Sequence, residues 1–252
     1  MVDWDRGAYE DTATELAPAA EHVVQRAEIA QGQAVLDLGT GTGNAALLAA
    51  RVGANVTAVD PSERLLEVAR ERVGQGEFIK GTAEDLPFDA QSFDRVLSLF
   101  AVIFTEEPEN AASEIQRILR PRGRALITAW EPVGAMSEAL GILGKATSDA
   151  ARTPHRDRFP WHDLDTVRDL FGGATVDVER ATLTWKAPSA GAYMQRFETR
   201  HPAGILFKDV LTRAGSYGDV RARALAAFGD EEPLSVSSSY LVFTVSPNRR
   251  LS

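Results

Sequence analysis

An apolar run followed by alternating glycines, VLDLGTGTGN at residues 35–44, constrains the fold of this 252-residue chain more than any other segment. The aliphatic run predicts a buried strand, and the apolar residues that begin at Ala45 predict a helix. Gly39, Gly41 and Gly43 permit a tight turn and let a ligand lie against the main chain. The first N–H groups of a helix can bind an anion because they have no partner within the helix. The segment therefore predicts an α/β fold with a nucleotide-like ligand at a strand-to-helix turn.

The first half of the chain alternates short aliphatic runs with amphipathic stretches, which predicts a parallel sheet with helices on both faces. Ser62 is a predicted helix N-cap, and Gly74 is expected to end that helix. A further helix, over residues 111–119, is expected to stop before Pro121 and Gly123. The predicted strands are Ala34–Leu38 and residues 55–59, 77–80, 95–99 and 125–129.

After Trp130 the pattern is less regular. Helices are predicted at residues 134–151 and 163–171, two or three more within residues 189–230, and strands at residues 175–185 and 235–245. The segment between these last two strands is longer than a connection needs, which predicts a cap over the site. We expect one α/β domain over residues 1–252, with a doubly wound, mostly parallel seven-stranded sheet. Its predicted core is 30–130, 161–187 and 234–246, and its helical cap is 1–20, 131–160 and 188–233.

Composition excludes several kinds of chemistry. The chain has no cysteine, which removes disulfides, thiolate zinc sites and a cysteine nucleophile. None of the four histidines lies at i, i+4 spacing from another, so no metal site is predicted. A net charge of −9 favours a small molecule over nucleic acid, because duplex binders neutralise phosphates with a basic surface. The chain has one local basic cluster, which consists of Arg117, Arg120, Arg122 and Arg124. We interpret these residues as solvated charges near a helix end.

The location of the protein is predicted from two absences in the sequence. No segment approaches the ~18 uninterrupted apolar residues of a membrane span. The acidic first residues lack the apolar region of a secretion signal. We therefore expect a cytoplasmic protein that does not bind membranes, and the sequence leaves open whether it is a monomer or a homodimer.

The spacing of glycines and acids discriminates between nucleotide ligands. A dinucleotide fingerprint places its third glycine one position later, where this chain has Asn44. Asp37 precedes the first glycine by two residues, and Asp60 ends the second predicted strand, where an acid can accept hydrogen bonds from ribose hydroxyls. The segment GTAEDLPF, residues 81–88, follows the third predicted strand. Each feature alone also has a structural explanation, but their joint occurrence at three consecutive strand ends favours a cofactor site.

These segments, in this order and spacing, resemble the class I S-adenosylmethionine-dependent methyltransferases. The resemblance is closest to the small-molecule branch, which carries an AEDLPF loop and an ILRPGG-like helix end, here ILRPRG at residues 118–123. It covers residues 33–130 well and fades after Trp130. It implies a Rossmann-like methyltransferase fold, S-adenosylmethionine as cofactor and methyl transfer as activity.

The resemblance also implies a role for each matched residue. Asp37 would orient the methionine ammonium group, the glycine loop would line the cofactor by main-chain contacts, and Asp60 would bind the ribose hydroxyls. Many relatives carry Asp or Asn in place of Thr82, so a neighbouring acid of the same loop is expected to bind the adenine amino group. Strand four would close the floor beneath the sulfonium. The predicted cofactor-binding residues are Asp37, Gly39, Thr40, Gly41, Gly43, Asp60, Pro61, Ser62, Thr82, Ala83, Glu84, Asp85, Leu99 and Phe100.

The fourth predicted strand narrows the acceptor. Methyltransferases of exocyclic base amines carry an Asp/Asn-Pro-Pro-aromatic loop there, and metal-dependent catechol-type enzymes need converging carboxylates. This chain has SLFAVIF at residues 98–104, which supplies neither. Because pockets for small molecules are mainly apolar with a few polar groups, a small organic acceptor with an O, N or C nucleophile is favoured.

Catalytic residues are predicted only as candidates. An acceptor hydroxyl would need a general base, for which His155, His162, His201 and Tyr193 are available. His162 and His201 could equally cap helices. Several aromatic residues lie outside the predicted sheet and could form a lid or could pack the cap to the core. They are Trp4, Tyr9, Trp130, Phe159, Trp161, Trp185 and Tyr193.

Two alternatives to methyl transfer stay open. The first is a protein that binds S-adenosylmethionine, or catalyses another reaction on the same fold, since a fold does not fix its chemistry. The second is a nicotinamide-dependent oxidoreductase, which the glycine spacing disfavours.

Overall fold

The structure is a computed structural model, which describes residues 2–152 and 159–248. Its strands are β1 Ala34–Leu38, β2 Asn55–Asp60, β3 Glu77–Lys80, β4 Phe93–Leu99, β5 Leu119–Trp130, β6 Ala174–Ala187 and β7 Leu234–Pro247. Its α-helices are α1 Glu10–Arg26, α2 Asn44–Arg51, α3 Glu63–Val73, α4 Pro108–Ile118, α5 Gly134–Ala151, α6 Leu164–Leu170, α7 Ala190–Arg200, α8 Pro202–Arg213 and α9 Tyr217–Ala226. A 3-10 helix covers Val102–Phe104.

Within the described residues the strands form a seven-stranded sheet in the order β3-β2-β1-β4-β5-β7-β6. The pairs β1–β2, β1–β4, β2–β3 and β4–β5 are parallel, and β5–β7 is antiparallel. The predicted doubly wound, mostly parallel sheet is confirmed. The strand order reverses between β1 and β4, and ligands of such sheets bind beyond the carboxyl ends of the strands at this point.

The described residues group into two compact units. Unit 1 contains those of 1–15, 131–158 and 182–239, and unit 2 contains those of 16–130, 159–181 and 240–252. The boundaries fall inside α1, β6 and β7, whereas the sequence places both strands wholly in the core. The division into core and cap stays a prediction.

The core of unit 2 explains why its strands read as continuous apolar runs. Leu36, Val96 and Ile127 are fully buried in β1, β4 and β5, as expected when helices cover both faces of a parallel sheet. Ile115 of α4 and Phe171, which follows α6, belong to the same buried cluster. This packing fixes the positions of the strand ends from which the site is built.

One strand starts earlier than predicted. Helix α4 ends at Ile118 as expected, but β5 begins at Leu119, so that Pro121 and Gly123 lie inside the strand. The β4–β5 register shifts at this point, because Phe93 pairs with Leu119 whereas Arg95 pairs with Arg124. A bulged segment tolerates a proline, which has no N–H to donate to a sheet.

Candidate functional site

The loop after β1 is closed by its own main chain. The N–H groups of Gly39 and Thr40 both donate to the carbonyl of Val59, at 2.7 and 3.0 Å, and Gly43 N donates to the carbonyl of Thr40 at 2.9 Å. Gly39 has a φ of 71°, and a Cβ there would lie 2.1 Å from the Cβ of Ala101. Both the backbone angle and the close approach therefore require glycine at this position.

Asp37 is a buried acid at the end of β1. Its Oδ2 accepts hydrogen bonds from the Thr40 hydroxyl at 2.7 Å and from Ala46 N of α2 at 2.8 Å. Burial, with a smaller contribution from the charge of Asp60, raises the pKa of the Asp37 carboxyl to about 6, although the two hydrogen bonds act in the opposite direction. A cation at this carboxylate would offset part of the cost of burying it.

Asp60, at the end of the neighbouring strand, is also buried. Its Oδ2 accepts from Gly41 N at 2.8 Å and its Oδ1 from Ser62 N at 2.9 Å. The side chain thus connects the glycine loop to the start of α3. Both oxygens of the Asp60 carboxylate are therefore bound by main-chain N–H groups, and its predicted role at the ribose remains a prediction.

Ser62 caps α3 as predicted, since its hydroxyl accepts from Leu65 N at 3.1 Å, and Gly74 ends the helix in a left-handed conformation. The side chain of Ser62 is buried and that of Pro61 is exposed. The roles predicted for both residues beside the adenine remain predictions.

Glu84 is the acid of the loop over residues 82–88 that the hydroxyl of Thr105 binds. Partial burial raises the pKa of Glu84, but hydrogen bonds from the hydroxyls of Thr105 and Thr82 and from main-chain N–H groups together outweigh it, so the pKa is lowered. Thr82 and Asp85 form an isolated β-bridge and are exposed, whereas Ala83 is half-buried. Glu84 is therefore held in ionised form next to the segment predicted to border the adenine.

Phe100, directly after β4, has an unusual conformation. Its φ is 53°, in the left-handed region that bulky residues rarely adopt, and its N–H donates to the Thr128 hydroxyl at 2.8 Å. Its ring is stacked on Trp130 with centroids 3.9 Å apart, and Tyr240 packs edge-on against it at 5.4 Å. We call Phe100, Trp130 and Tyr240 the aromatic stack. Such backbone strain is frequent at functional sites.

The predicted cofactor residues therefore converge. The ends of β1, β2 and β4 meet at one edge of the sheet, because the three strands are parallel neighbours. The glycine loop reaches β4 through the contact between Gly39 and Ala101, and it reaches β2 through Asp60. Leu99 ends β4 at this edge. The cofactor role of each residue remains a prediction, but the arrangement provides two buried acids, a close-approach loop and a helix N-terminus.

The base candidates have other roles or lie elsewhere. His201 caps α8, accepting from Ala203 N at 3.1 Å, and burial lowers its pKa to about 4. Tyr193 is buried, and burial raises its pKa well above 10. His162 is exposed before α6, which Asp163 caps by accepting from Thr166 N at 2.8 Å. His155 lies outside the described residues.

The aromatic residues proposed as a lid fall into separate groups. Trp4 and Tyr9 pack edge-on against each other and against His201 in unit 1. In the same unit Trp185 packs on Tyr193. In unit 2, Phe159 packs on Trp161, which is buried, and Trp130 joins the aromatic stack. Within each unit these rings contribute to packing.

Sequence reasoning missed several residues of this region. His22 of α1 lies with its Nε2 3.3 Å from Glu179 Oε1, at an angle that makes no hydrogen bond, and its ring is edge-on to Tyr240 at 6.4 Å. Arg72 and Arg117 bind the two loops that are predicted to contact the cofactor, residues 39–44 and 82–88, which we call the cofactor loops. No local pattern marks them, because their partners are distant in sequence or are main-chain atoms.

The basic cluster near residue 120 is not simply solvated. Three of its arginines form ion pairs, Arg117 with Glu114, Arg120 with Asp94 and Arg124 with Glu28. In residues 2–152 and 159–248 no group of three or more potential ligands could hold a metal ion. No helix in the same residues is long and apolar enough to cross a membrane.

Comparison with known sequences places the matched region on this site. Residues 36–127 match the family described as "Methyltransferase domain". A Mycobacterium tuberculosis protein of unknown function is 33% identical over 196 residues, which cover 72% of this chain and 68% of that protein. Demethylmenaquinone methyltransferase of Clavibacter sepedonicus is 37% identical over 158 residues, 59% of this chain and 64% of the enzyme.

Solved structures share the fold at lower identity. A Bacillus halodurans protein described as a methyltransferase has a TM-score of 0.63 and 18% identity, and covers 92% of this chain and 100% of its own. The [4+2]-cyclase SpnF has a TM-score of 0.54 and 20% identity. The match covers 96% of this chain and 84% of the SpnF chain. At these identities the likeness shows the fold alone.

Proposed function

Because the chain belongs to the class I S-adenosylmethionine-dependent methyltransferases, we propose that it transfers a methyl group to a small organic acceptor and releases S-adenosylhomocysteine. The observation that supports this proposal best is the pair of buried acids, Asp37 and Asp60, joined by the glycine loop. The cofactor of the family is S-adenosylmethionine, whose sulfonium supplies an already activated methyl group when it is bound.

The residues present fit this cofactor. Burial raises the pKa of Asp37, and an ammonium group is the kind of partner that stabilises its charged form. Asp60 is held by two N–H donors with its oxygens directed by the glycine loop and α3, an arrangement that suits a ribose diol. A side chain at Gly39 would collide with Ala101, so only glycine lets the loop after β1 pack against the residues that follow β4.

The acceptor is proposed to be a small, largely apolar molecule. The carboxyl end of β4 carries Leu99 and Phe100, and the aromatic stack extends from it to Trp130 and Tyr240. Aromatic faces bind planar apolar molecules by stacking, and the ring of this stack proposed to do so is that of the half-buried Trp130, since Phe100 and Tyr240 are buried. The protein would contribute orientation of the acceptor and exclusion of water, since in-line attack requires the reacting atoms to be aligned.

Several observations support a small molecule rather than a nucleic acid. The chain has a net charge of −9, and three of the four arginines of its basic cluster pair with acids. We also propose that the protein acts in the cytoplasm. The proposal does not depend on the number of subunits.

The experiment is a transfer assay with methyl-labelled S-adenosylmethionine and a fractionated metabolite extract. Label in an organic product, formed together with S-adenosylhomocysteine, supports methyl transfer. Asp37→Asn is the matched control and should abolish labelling at the same protein concentration. If no fraction of the extract accepts label although the protein binds the cofactor, the result would count against methyl transfer.

A non-methylating reaction is the second candidate. It is favoured by one observation, that His201 and Tyr193 are fixed in structural roles and neither is available as a base in the described structure. The [4+2]-cyclase SpnF has the same fold. Turnover of a compound without release of S-adenosylhomocysteine would identify this alternative.

A further inference from the structure

Each of the two cofactor loops is held by an arginine from a neighbouring helix. On the glycine loop, Nη1 of Arg72 donates to the carbonyl of Thr42 at 2.6 Å and to its hydroxyl at 2.8 Å. Nη2 of the same side chain donates to Oδ1 of Asn44, the first residue of α2, at 3.1 Å. One guanidinium thus binds both sides of the turn at Gly43.

These bonds fix the direction of α2. Thr42 is 2% exposed, and its carbonyl accepts the hydrogen bond from Arg72. Gly43 has a φ of 84° and is packed against α3, since a Cβ there would lie 3.1 Å from Ala69. The first turn of α2 supplies Ala46 N to Asp37, so the position of α2 also determines the environment of that acid.

The loop over residues 82–88 is held in a similar way from α4. Arg117 donates from Nη1 to the carbonyl of Phe88 at 2.6 Å and from Nη2 to the carbonyl of Leu86 at 3.0 Å. Its partner Glu114 accepts from Leu86 N at 2.8 Å. Arg117 also binds both oxygens of Glu114, at 2.6 and 2.7 Å, and these hydrogen bonds lower the pKa of Glu114. The ion pair therefore binds the main chain of the loop through donors and an acceptor.

We propose that Arg72 and Arg117 are positioning residues that order the two loops before the cofactor binds, an inference that rests on the cofactor site described above. Neither residue belongs to the set predicted to touch the cofactor. A loop that is already in its binding conformation loses less conformational entropy on binding, and this gain appears as affinity. The planar fork of a guanidinium binds two or three acceptors at once, which a lysine ammonium in the same place cannot do with the same geometry.

The test is the affinity of Arg72→Lys and Arg117→Lys for S-adenosylhomocysteine and for adenosine, measured by calorimetry. Each variant keeps the charge and should bind S-adenosylhomocysteine about tenfold more weakly, because charge-assisted hydrogen bonds that order a loop are lost. Arg117→Lys should weaken adenosine by the same factor, since its loop is predicted to border the adenine. Arg72→Lys should weaken adenosine less than S-adenosylhomocysteine, because it controls α2 and Asp37, on the side of the ammonium.

Matched controls come from the same two regions. Arg70→Lys changes an arginine of α3 that lies over the ring of Phe78 and pairs with Glu63. Arg120→Lys changes an arginine that follows α4 and pairs with Asp94. Neither contacts a cofactor loop in these bonds, and both should bind the two ligands within about twofold of the unchanged protein.

The outcomes separate the inference from the function on which it rests. If Asp37→Asn loses affinity but the two arginine variants behave like their controls, the positioning role is wrong and the cofactor site stands. If Asp37→Asn also binds normally, the site assignment is wrong and the inference fails with it. Equal weakening of both ligands by Arg72→Lys, in proportion to a loss of folded protein, would show a purely structural role and overturn the inference for that residue.

Discussion

The parallel strands in unit 2 bury different charges at their two ends. We call the side of the sheet where these strands begin the amino edge and the side where they end the carboxyl edge. At the amino edge, the buried side chain of Arg95 donates to the carbonyls of Ala27, Asp94 and Glu28. At the carboxyl edge, Asp37 is buried with neutral hydrogen-bond donors, and its pKa is raised to about 6. Arg95 caps the end of α1 and has a structural role. Asp37 costs stability in the free protein, which is the pattern expected where a ligand supplies the missing charge.

The shape of the surface and the chemistry of the residues indicate different places for a ligand site. A groove of about 460 Å³ lies at the amino edge, lined by the first residues of β1, β2 and β3 and by the turns that precede them. Its volume is in the range of ligand pockets, about 300–1,000 Å³. Its one ionisable lining residue, Glu77, is exposed. A concave surface is thus insufficient to indicate a site, whereas buried charge together with close-approach glycines is informative.

The largest effect is expected at Gly39. Gly39→Ala places a Cβ 2.1 Å from Ala101 in a backbone with a φ of 71°, so it should lower the free energy of unfolding by about 3 kcal/mol and prevent cofactor binding. The control is Gly32→Ala before β1, where φ is 80° but no atom lies within 4 Å of the added Cβ. It should cost only about 1 kcal/mol in urea unfolding. Equal losses in the two variants would contradict the contact at Gly39.

The next effect tests the buried acid. Asp37→Asn removes the proposed partner of the cofactor ammonium and should weaken S-adenosylhomocysteine binding about 100-fold by calorimetry, the scale for losing one partner of a buried charge pair. The free protein should become no less stable at pH 7, because a buried carboxylate is replaced by a neutral amide. A large loss of stability without loss of affinity would assign Asp37 a structural role like that of Arg95.

The affinity for S-adenosylhomocysteine should depend on pH through the carboxyl group of Asp37. The folded-state pKa of Asp37, about 6, lies above its ordinary value of 3.8. Below pH 6 a proton should compete with the ligand ammonium, so affinity should fall up to about tenfold per pH unit. Binding titrations between pH 5 and 8 measure this effect. Asp37→Asn should lack this part of the pH dependence.

Stability should change in the opposite direction. Between the two pKa values the folded state binds more protons than the unfolded state, so acidification from pH 7 to pH 4 stabilises the free protein. Measured relative to Asp37→Asn, the unchanged protein should gain up to about 3 kcal/mol over this interval. A relative loss of stability in acid would mean that the carboxyl has a depressed pKa.

The smallest effect is expected at the amino edge. Glu77→Gln changes the ionisable residue of the groove and should alter affinity for S-adenosylhomocysteine by less than about twofold. The matched variant at the carboxyl edge is Glu84→Gln, whose parent acid is ionised and bound by Thr105. If Glu77→Gln were the more damaging of the two, the distinction between the edges would be wrong.

The prediction from sequence was most accurate where local signals coincide. β1 and β3 were placed with their observed bounds, and the helix from Ser62 to Gly74 was capped as expected. Capping side chains, glycines and apolar periodicity act over a few residues, so they can be recognised in isolation. The start of β5 was missed because the bulge opposite Phe93, which accommodates Pro121, is a property of strand pairing.

The sequence by itself determined the fold class, the order of strands along the chain and, through its resemblance to a known family, the cofactor, because the motifs that carry this resemblance are local in sequence. Only the tertiary structure decided which charges are buried and which long-range contacts hold the loops. It brought Phe100 onto Trp130 and Tyr240, and it placed Arg72 and Arg117 against the loops that are predicted to bind the cofactor. Those contacts join residues that are far apart in sequence, or a side chain to main-chain atoms, and neither leaves a pattern in the order of amino acids.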